Sequence, residues 1–239
     1  AQAIAALAYG TATIPCMLKI AGPGNIYVTL AKRLVSSICE IDKEAGPSEV
    51  VVIADDKAYP REVALELLAQ AEHDEDARAM LVVLSDAFAK RVLQTIEVET
   101  KTLPRAAIIL KSLESQGEIY VVRNLLEAAR LTNLIAPEHL SIQTEDPRAV
   151  FNRIQNVGCA VLGGGTSVAV GDYYAGPNHI LPTGRRARFS SPLTAEDFRK
   201  VTSIISFSRE RMASVADDIV ALANAEQLQA HARAVEIRR

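Results

Sequence analysis

The hydrophobic residues follow two alternating patterns over most of the chain. Short runs rich in β-branched residues are typical of buried strands, whereas longer runs with apolar residues along one side are typical of helices. This pattern predicts strands at 17–22, 49–55, 79–85, 117–122 and 159–163, and helices at 26–38, 61–73, 86–100 and 123–131. Because strand and helix alternate, we expect parallel βαβ units and an α/β fold.

The pattern changes from Leu193 onward, where the chain becomes charged and rich in alanine. The segments 193–201 and 208–235 both predict helices, so we expect a mainly helical C-terminal piece. The first ten residues, AQAIAALAYG, are also helix-like and lack the basic flank and cleavage pattern of a signal peptide. Because the chain begins at Ala1 rather than at a methionine, we expect it to be part of a longer protein.

Composition and charge narrow the class of protein. Across 239 residues, 26 Lys and Arg stand against 29 Asp and Glu, and the net charge of −3 gives no reason to expect nucleic acid or an anionic membrane as a partner. No apolar run reaches the length needed to span a bilayer. Cys16, Cys39 and Cys159 lie far apart, which favours buried free thiols in a reducing compartment over a disulfide framework.

Two polar residues end the predicted helix 61–73. Gln70 and His73 are three positions apart, a spacing that places two side chains on the same face of a helix. They form either half of a metal site or simply the polar end of a helix. Gln is an uncommon metal ligand, so the spacing alone does not decide between these interpretations.

Two loop segments carry further candidates for chemistry. In GDYYAGPNHILPTG (171–184), Asp172 and His179 flank a tight Gly-Pro turn of the kind that presents binding groups, although an ordinary surface turn has the same composition. In APEHL (136–140), Glu138 and His139 are neighbours. A carboxylate and an imidazole side by side can share proton transfers, or they can merely begin a helix or strand.

Glycine-rich segments give weaker signals. AGPGNIY (21–27) lies between a predicted strand and a predicted helix, where its amides can face a phosphate. It lacks the third glycine of the dinucleotide-binding fingerprint. LGGGTS (162–167) is a permissive turn of a type that is frequent without a ligand. Neither segment identifies a cofactor without further information.

Taken in order, these segments resemble the histidinol dehydrogenase family. The longest match is IDKEAGPSEVVVIADDKAYPREVALELLAQAEH (41–73), which follows the family signature almost position by position; AGPGNIYVTLAKR, NLIAPEHLSIQT, GDYYAGPNHILPTGRRARFSSPL and AEQLQAHARAV extend it. The resemblance covers essentially the whole chain, but only the C-terminal part of the family protein, a little over half. It implies an incomplete Rossmann-like two-domain core followed by a helical piece.

The resemblance also implies how the chain is divided and which cofactors it uses. Residues 1–46 would end one Rossmann-like domain on the NAD side, 47–192 would form a second α/β domain with most zinc and catalytic residues, and 193–239 would form a helical tail. In the family this tail contributes to the partner subunit's site in a homodimer with shared active sites. The implied location is the cytoplasm, or the plastid stroma if the source is a plant.

Site residues carry over position by position. The implied ligands of one zinc ion are Gln70, His73, Asp172 and His231. His139 matches the general base that takes the alcohol proton, and Glu138 matches the residue that activates water. Substrate contacts are implied for Ser48, His179 and Glu226, with Glu226 and His231 reaching in from the partner chain. Contacts near NAD are implied for Gln2 and Asn25.

The implied reaction is the four-electron oxidation of L-histidinol to L-histidine through histidinal, with two NAD⁺ used in succession. Two departures concern the loop that carries Asp172: Val168 stands where a glutamate is common, and the run Gly163–Gly165 is unusual, so we expect Asp172 to be less well braced. Two other interpretations remain. One is a relative that oxidises another small amino alcohol or polyol, and the other is a catalytically silent fragment that serves folding or dimerisation.

Overall fold

The structure is a computed structural model that describes residues 1–44 and 46–239; residue 45, within the signature segment 41–73, lies outside the described residues. The chain forms two compact units, Ala1–Phe198 and Arg199–Arg239. The first unit combines parallel sheets with helices, and the second is helical. The predicted α/β class and the helical C-terminal piece are therefore confirmed.

All strand pairings within the described residues are parallel. The strands are β1 (Lys19–Ile20), β2 (Glu40–Ile41), β3 (Glu49–Ala54), β4 (Arg78–Val83), β5 (Glu118–Val121), β6 (His139–Gln143) and β7 (Cys159–Leu162). β1 and β2 form a small sheet, and the other five form a large sheet in the order β5-β4-β3-β6-β7. The chain thus extends the large sheet to one side of β3 and then crosses to the other, as nucleotide-binding α/β folds do.

Helices connect the strands and form the second unit. They are α1 (Gln2–Tyr9), α2 (Ile26–Val35), α3 (Pro60–Ala71), α4 (Asp86–Thr100), α5 (Ala106–Gln116), α6 (Leu125–Ile135), α7 (Pro147–Phe151), α8 (Val168–Tyr173), α9 (Arg209–Ala225) and α10 (Gln229–Glu236), with short 3₁₀ turns at Arg186–Arg188 and Ala195–Phe198. Side-chain oxygens cap several helices at the amino end, as Ser85 does for α4 and Asn124 for α6. No helix in the described part of the chain is both long and apolar enough to cross a membrane.

The core of the first unit lies on both faces of the large sheet. All six residues of β3 are buried, because helices cover the sheet on each side. On one face, Val50 and Val52 pack with residues of α3 and α4; on the other, Val51 and Ile53 pack with residues of α6 and α7. A continuous apolar run such as EVVVIA is therefore what a central parallel strand requires.

The structure differs from the predicted elements at several places. The helix predicted over 61–73 ends at Ala71, so His73 lies in the bend that follows rather than on the helix. The helix predicted over 193–201 is only the short 3₁₀ turn Ala195–Phe198, and regular helix resumes at Arg209. The pattern also missed α5 and β6. In β6, HLSIQ, polar residues interrupt the apolar run although all five side chains are buried.

Candidate active site

A cavity of about 520 Å³ lies at the amino ends of the central strands in the first unit. Six residues for which the resemblance implies a role line this cavity: Ser48, His73, Glu138, His139, Asp172 and His179. The opposite wall is formed by the loop Gly22–Gly24 and by residues of α2 and of the segment after β2. Residues that are far apart in the sequence thus meet at one place.

The parallel pairing of β3 and β6 explains this meeting. Ser48 immediately precedes β3, Glu138 immediately precedes β6, and His139 is the first residue of β6. Neighbouring parallel strands begin at the same edge of a sheet, and here Val50 of β3 is paired with His139. The bland interpretation of Glu138 and His139, a charged start to a strand, is therefore correct for their position but does not account for their contacts.

Glu138 and His139 form a buried pair, each only 7% exposed. Glu138 Oε2 lies 3.6 Å from His139 Nδ1, and Asp172 Oδ1 lies 3.6 Å from His139 Nε2. Burial by itself lowers the pKa of His139, but the carboxylates of Glu138 and Asp172 outweigh this and raise the pKa above its ordinary value. An imidazole between two carboxylates is well placed to accept a proton, since both stabilise the imidazolium that results.

A strained turn directly precedes Glu138 and His139 in the chain. Ala136 follows α6 with a φ of 51°, in the left-handed region that residues other than glycine seldom adopt. Its N–H donates to the Thr132 carbonyl at 2.7 Å, and the side chain is buried. Only Pro137 and Glu138 separate it from β6. Backbone strain of this kind costs on the order of 1 kcal/mol and is commonly found at functional sites.

Asp172 is held on α8, which is braced more firmly than we expected. Ser167 caps α8 by accepting from the Ala169 N–H at 3.3 Å, and the buried Glu66 of α3 accepts from the Val168 N–H at 3.0 Å. Position 168, where a glutamate is common in the family, is a valine in this chain. The carboxylate that contacts this turn comes instead from Glu66 of α3. The expectation that the departure at Val168 leaves Asp172 poorly held is not supported by these contacts.

His179 lies in the loop that follows Asp172. Gly176 adopts a φ of 97°, and the Asn178 side chain accepts from the Ile180 N–H at 2.7 Å, so the segment does contain the tight turn that its composition predicted. Farther along, Thr183 Oγ1 accepts from the Gly46 N–H at 2.6 Å. This bond joins the His179 loop to the segment that carries Ser48, and both line the same cavity.

The predicted zinc ligands are only partly assembled within the first unit. His73 and Asp172 both line the cavity, whereas Gln70 is buried in the last turn of α3 and its Nε2 has no hydrogen-bond partner among the described residues. The His73 N–H donates to the Gln70 carbonyl at 3.2 Å, so the turn keeps these two residues adjacent although His73 is not helical. The atom without a partner is the amide nitrogen, which donates hydrogen bonds, whereas only the amide oxygen could bind a metal, so the ligand role of Gln70 stays a prediction. Within residues 1–44 and 46–239, no group of three or more His, Cys, Asp and Glu forms a metal site.

Glu226 and His231 belong to the second unit. Glu226 directly follows α9, and His231 lies in the first turn of α10; both side chains are exposed. Gln227 between them has a φ of 62°, which turns the chain from one helix into the next. The roles implied for these two residues stay predictions.

The residues implied to lie near NAD are at the start of two helices. Asn25 caps α2 by accepting from the N–H groups of Tyr27 and Val28 at 3.1 and 3.3 Å, and Gln2 is exposed at the start of α1. Neither side chain lines the cavity, but the Gly22–Gly24 loop immediately before Asn25 does. The glycine-containing turn predicted to face a phosphate therefore borders the site.

A buried ion pair beside this loop also lines the cavity, and the sequence pattern did not predict it. Lys32 Nζ lies 2.7 Å from Asp42 Oδ1, and both side chains are buried. Asp42 also accepts from the Gly22 N–H at 2.9 Å, and Lys32 donates to the Gly22 carbonyl. The one signal in the sequence was the position of Lys32, one turn before the buried Val35 on the inner face of α2.

Comparisons with known proteins identify the family of this chain. A family model for histidinol dehydrogenase matches residues 1–239. The chain is 52% identical to the histidinol dehydrogenase of Halalkalibacterium halodurans and 51% identical to that of Bacillus licheniformis, in each case over 238 residues. These alignments cover 100% of this chain and 56% of each relative. The chain thus spans a little over half the length of the curated relatives it matches.

A solved structure supports the same assignment. The crystal structure of histidinol dehydrogenase from Elizabethkingia anophelis superposes with a TM-score of 0.94 at 37% sequence identity, covering 99% of this chain and 55% of that one. By contrast, a propionaldehyde dehydrogenase from Clostridium phytofermentans, at 13% identity and a TM-score of 0.51, shares the fold alone. The full-length family match and the identity to named relatives show that this chain belongs to the histidinol dehydrogenase family.

Proposed function

We propose that the protein containing this chain oxidises L-histidinol to L-histidine through histidinal, with NAD⁺ as the electron acceptor. The observation that carries the proposal is one cavity, in a member of this family, that brings Glu138 and His139 together with Ser48, Asp172 and His179. The proposal covers the whole protein, since the chain spans only part of its relatives.

The first half of the reaction needs a base. In the oxidation of the alcohol, its O–H proton passes to His139 Nε2 or Nδ1 while the carbon gives up a hydride, so that the C–O bond becomes a carbonyl. His139 suits this role because it is buried beside two carboxylates that stabilise the protonated ring. Two NAD⁺ molecules, bound in succession, would supply the hydride acceptors for the two halves of the reaction.

The second half needs water. Glu138 would take a proton from a water molecule as its oxygen bonds to the aldehyde carbon, and the proton would return to the former carbonyl oxygen to give the hydrate. Loss of a second hydride and of one hydroxyl proton from the hydrate then yields the carboxylic acid. A carboxylate adjacent to the imidazole allows the two halves to share one cavity.

Zinc is the metal we propose for the site, held by Gln70, His73, Asp172 and His231. Support within the first unit comes from the shared cavity of His73 and Asp172 and from the backbone hydrogen bond that keeps Gln70 adjacent to His73. Imidazole and oxygen ligands are common in zinc sites. When bound, zinc would fix the orientation of the substrate's nitrogen atoms.

For NAD we propose the Gly22–Gly24 side of the cavity, with Asn25 and Gln2 nearby. The support is the turn before α2, which borders the cavity at the positive end of a helix, although the Gly22 N–H already donates to Asp42. The buried pair of Lys32 and Asp42, which also lines the cavity, fixes this turn through its contacts with Gly22. Ser48 and His179 are proposed to contact the substrate, together with Glu226.

We also propose a homodimer in which Glu226 and His231 of one chain complete the site of the other. Both lie in the helical unit Arg199–Arg239, which is compact by itself. A cytoplasmic location is proposed because Cys16, Cys39 and Cys159 are free thiols. The relatives named above are bacterial, which favours the cytoplasm over a plastid.

The test is histidinol-dependent reduction of NAD⁺ by the full natural protein. We expect two NADH for each histidinol consumed, with histidine as the product, and much slower oxidation of ethanolamine, an amino alcohol without an imidazole. Equal rates on both would favour a relative with a different substrate. A folded full-length protein that forms no NADH with either substrate would overturn the proposed activity.

The metal is tested on the same sample by elemental analysis combined with a measurement of size. We expect about one zinc per chain in a dimer, as a closed four-ligand site shared between subunits requires. His231→Ala should lower the zinc content. Unchanged zinc in that variant would exclude His231 as a ligand.

A further inference from the structure

The cavity lies between two walls that belong to different sheets. The large-sheet wall carries His139 at the start of β6, together with Asp172 and His179 after β7. The small-sheet wall is formed by the Gly22–Gly24 loop, by α2 and by the segment after β2. Residues 183–198, here called the strap, follow the His179 loop and contact the small-sheet side at several points. The separation of the two walls therefore depends on how the strap is fastened.

The far end of the strap is fastened to the small sheet. Lys43 Nζ lies 2.8 Å from Asp197 Oδ1, and Lys43 itself lines the cavity. Lys19 of β1 donates to the Asp197 carbonyl, and its Nζ lies 4.8 Å from the centre of the Phe198 ring, a cation–π contact. These contacts hold the end of the strap against the small-sheet side.

The near end of the strap is fastened by a turn. Thr183 Oγ1 accepts from the Gly46 N–H at 2.6 Å, and the Thr183 carbonyl accepts from the Arg186 N–H at 3.2 Å. Arg185 adopts a φ of 66°, in the left-handed region. Arg186 is thus held next to the hydrogen bond that joins the strap to Gly46.

Glu44 joins the strap to α2. Its Oε2 accepts from Arg186 Nη2, and the same oxygen accepts from Nε and Nη2 of Arg33 in α2 at 2.9 and 2.6 Å. Glu44 lies two residues after Asp42 and two before Gly46, both of which line the cavity. One carboxylate therefore connects the strap, α2 and the segment after β2.

The Glu44 bridge is shielded from water more than a typical surface ion pair. The side chain of Glu44 is 18% exposed, and that of Arg186 is 31% exposed. Burial alone would raise the pKa of Glu44, but the hydrogen bond from Arg33 and the charges of Arg186 and Arg33 outweigh it and hold the pKa below its ordinary value. Glu44 is therefore charged at neutral pH, and salt screens this pair less than a fully exposed one.

We infer that Arg186, through Glu44, is a positioning residue that holds the two walls of the cavity at a fixed separation. The inference rests on the proposed function, in which NAD⁺ binds beside Gly22–Gly24 and the substrate binds at the large-sheet wall. Hydride passes between them only when they are in contact, so the separation of the walls decides how well both bind together. Neither Arg186 nor Glu44 lines the cavity, so the bridge acts on binding and supplies no group for the chemical step.

The experiment is steady-state kinetics of the full natural protein with histidinol and NAD⁺. Arg186→Met removes the bridge and should raise KM for NAD⁺ about fivefold, the order expected for a partly shielded ion pair, while kcat changes less than about twofold. Arg186→Lys keeps a charged donor and should bring KM most of the way back. Arg188→Met, at an exposed position of the same 3₁₀ turn that takes part in none of these contacts, is the matched control and should leave KM unchanged.

A double-mutant cycle attributes the effect to the bridge. Glu44→Gln removes the charge that pairs with Arg186, so adding Arg186→Met to that variant should raise KM little further. Effects that add in full would show that the two residues act separately, and the inference would be wrong.

Amide hydrogen exchange measures the link without any reaction. In Arg186→Met the Gly46 N–H should exchange faster, because the turn that holds Thr183 against it is loosened. The Glu40 N–H, which donates to the Leu18 carbonyl at 2.9 Å beside the small sheet, should exchange as before. Equal acceleration at both amides would indicate general unfolding and would count against a positioning role.

The outcomes separate this inference from the proposed function. An unchanged KM in Arg186→Met, a fall in kcat alone, or an equal rise of KM in Arg188→Met would overturn the positioning role while leaving the proposed function intact. If the unmodified protein reduced no NAD⁺, the proposed function would fail, and the exchange of the Gly46 amide alone would decide whether the bridge holds the two walls together.

Discussion

The two ends of the large sheet differ in chemistry more than its two faces do. At the amino ends of the strands lies the cavity that gathers six of the predicted site residues. At the carboxyl ends lies a smaller cavity of about 240 Å³, lined by the loops after β3, β6 and β7. In open α/β sheets, ligands usually bind outside the carboxyl ends, where the strand order reverses. In this domain that point lies between β3 and β6, and the candidate site is at the opposite end.

Asp55 gives a physical reason for this reversal. In nucleotide-binding folds the loop after the first strand is rich in glycine, and its free amides meet a phosphate. Here the Asp55 carboxylate already accepts from the Lys57 N–H at 3.0 Å and from the Glu145 N–H at 2.7 Å. Lys57 and Glu145 then form an ion pair across the loops. These two loop amides are thus already bonded to a carboxylate of the protein itself.

The fold class therefore does not locate the site. For a parallel sheet with this strand order, a ligand site is expected at the carboxyl edge. The buried charged residues of this sheet, however, lie along the amino edge. Function has to be argued from the side chains and their contacts.

The largest difference in rate is expected between variants at the two ends of β6. His139→Asn removes the proposed base and should lower the rate of histidinol oxidation about a hundredfold or more. Gln143→Asn, at the last residue of the same strand, should leave the rate unchanged, and its lost bond to Ser141 Oγ should cost about 1 kcal/mol of stability. Steady-state kinetics and urea unfolding measure the two quantities. Similar rate losses in both variants would abolish the distinction between the edges.

Gly158, beside Glu138, should give the next largest effect. A Cβ at this position would stand 2.6 Å from the Glu138 carbonyl oxygen, a backbone atom that cannot move aside easily. Gly158→Ala should therefore shift Glu138, lower histidinal oxidation about tenfold and cost roughly 1–3 kcal/mol. Comparing histidinal turnover with the free energy of unfolding tests both. Full activity in this variant would mean that the position of Glu138 is not critical.

Much of the fold could be predicted from the sequence because the signals are local. EVVVIA reads as a buried strand and Pro60 marks the start of α3, and both lie where the pattern placed them. The site residues came from the resemblance to a family rather than from periodicity. Glu138 and His139 by themselves were more commonly explained as the charged start of a helix or strand.

What could not be predicted depends on contacts between distant segments. The meeting of Ser48 with Glu138 requires β6 to lie beside β3, and β6 was missed because Ser141 and Gln143 interrupt its apolar residues. In the sequence, Glu49 is only the polar boundary of a predicted strand, because its pairing with Arg78 across the sheet cannot be read from the pattern. The pairing of Lys32 with Asp42 likewise needs the packing of α2 on the small sheet.

A smaller effect is expected at Asp55 on the carboxyl edge. Asp55→Ala removes a charged acceptor from two backbone N–H groups and should lower the free energy of unfolding by roughly 1–3 kcal/mol. Both half-reactions should keep their rates, since no atom of Asp55 lines the catalytic cavity. Chemical denaturation and single-turnover kinetics provide the two readings. A selective loss of catalysis would show that this edge acts on the site.

The smallest effect is expected at Gly165, which borders the carboxyl-edge cavity. An added Cβ would meet no atom within 4 Å, and the residue is not in the left-handed region, so Gly165→Ala should stabilise the protein by about 0.5 kcal/mol through the unfolded state. The matched control is Gly163→Ala, where the space is equally open but the φ of 85° should make the change destabilising by about 1 kcal/mol. Thermal unfolding of the two variants compares them directly. Unchanged turnover in both variants would show that the loop of three glycines has no part in catalysis. A loss of histidinal oxidation in Gly165→Ala would instead connect that loop to Asp172 through α8, and the contrast between the two edges would be weaker.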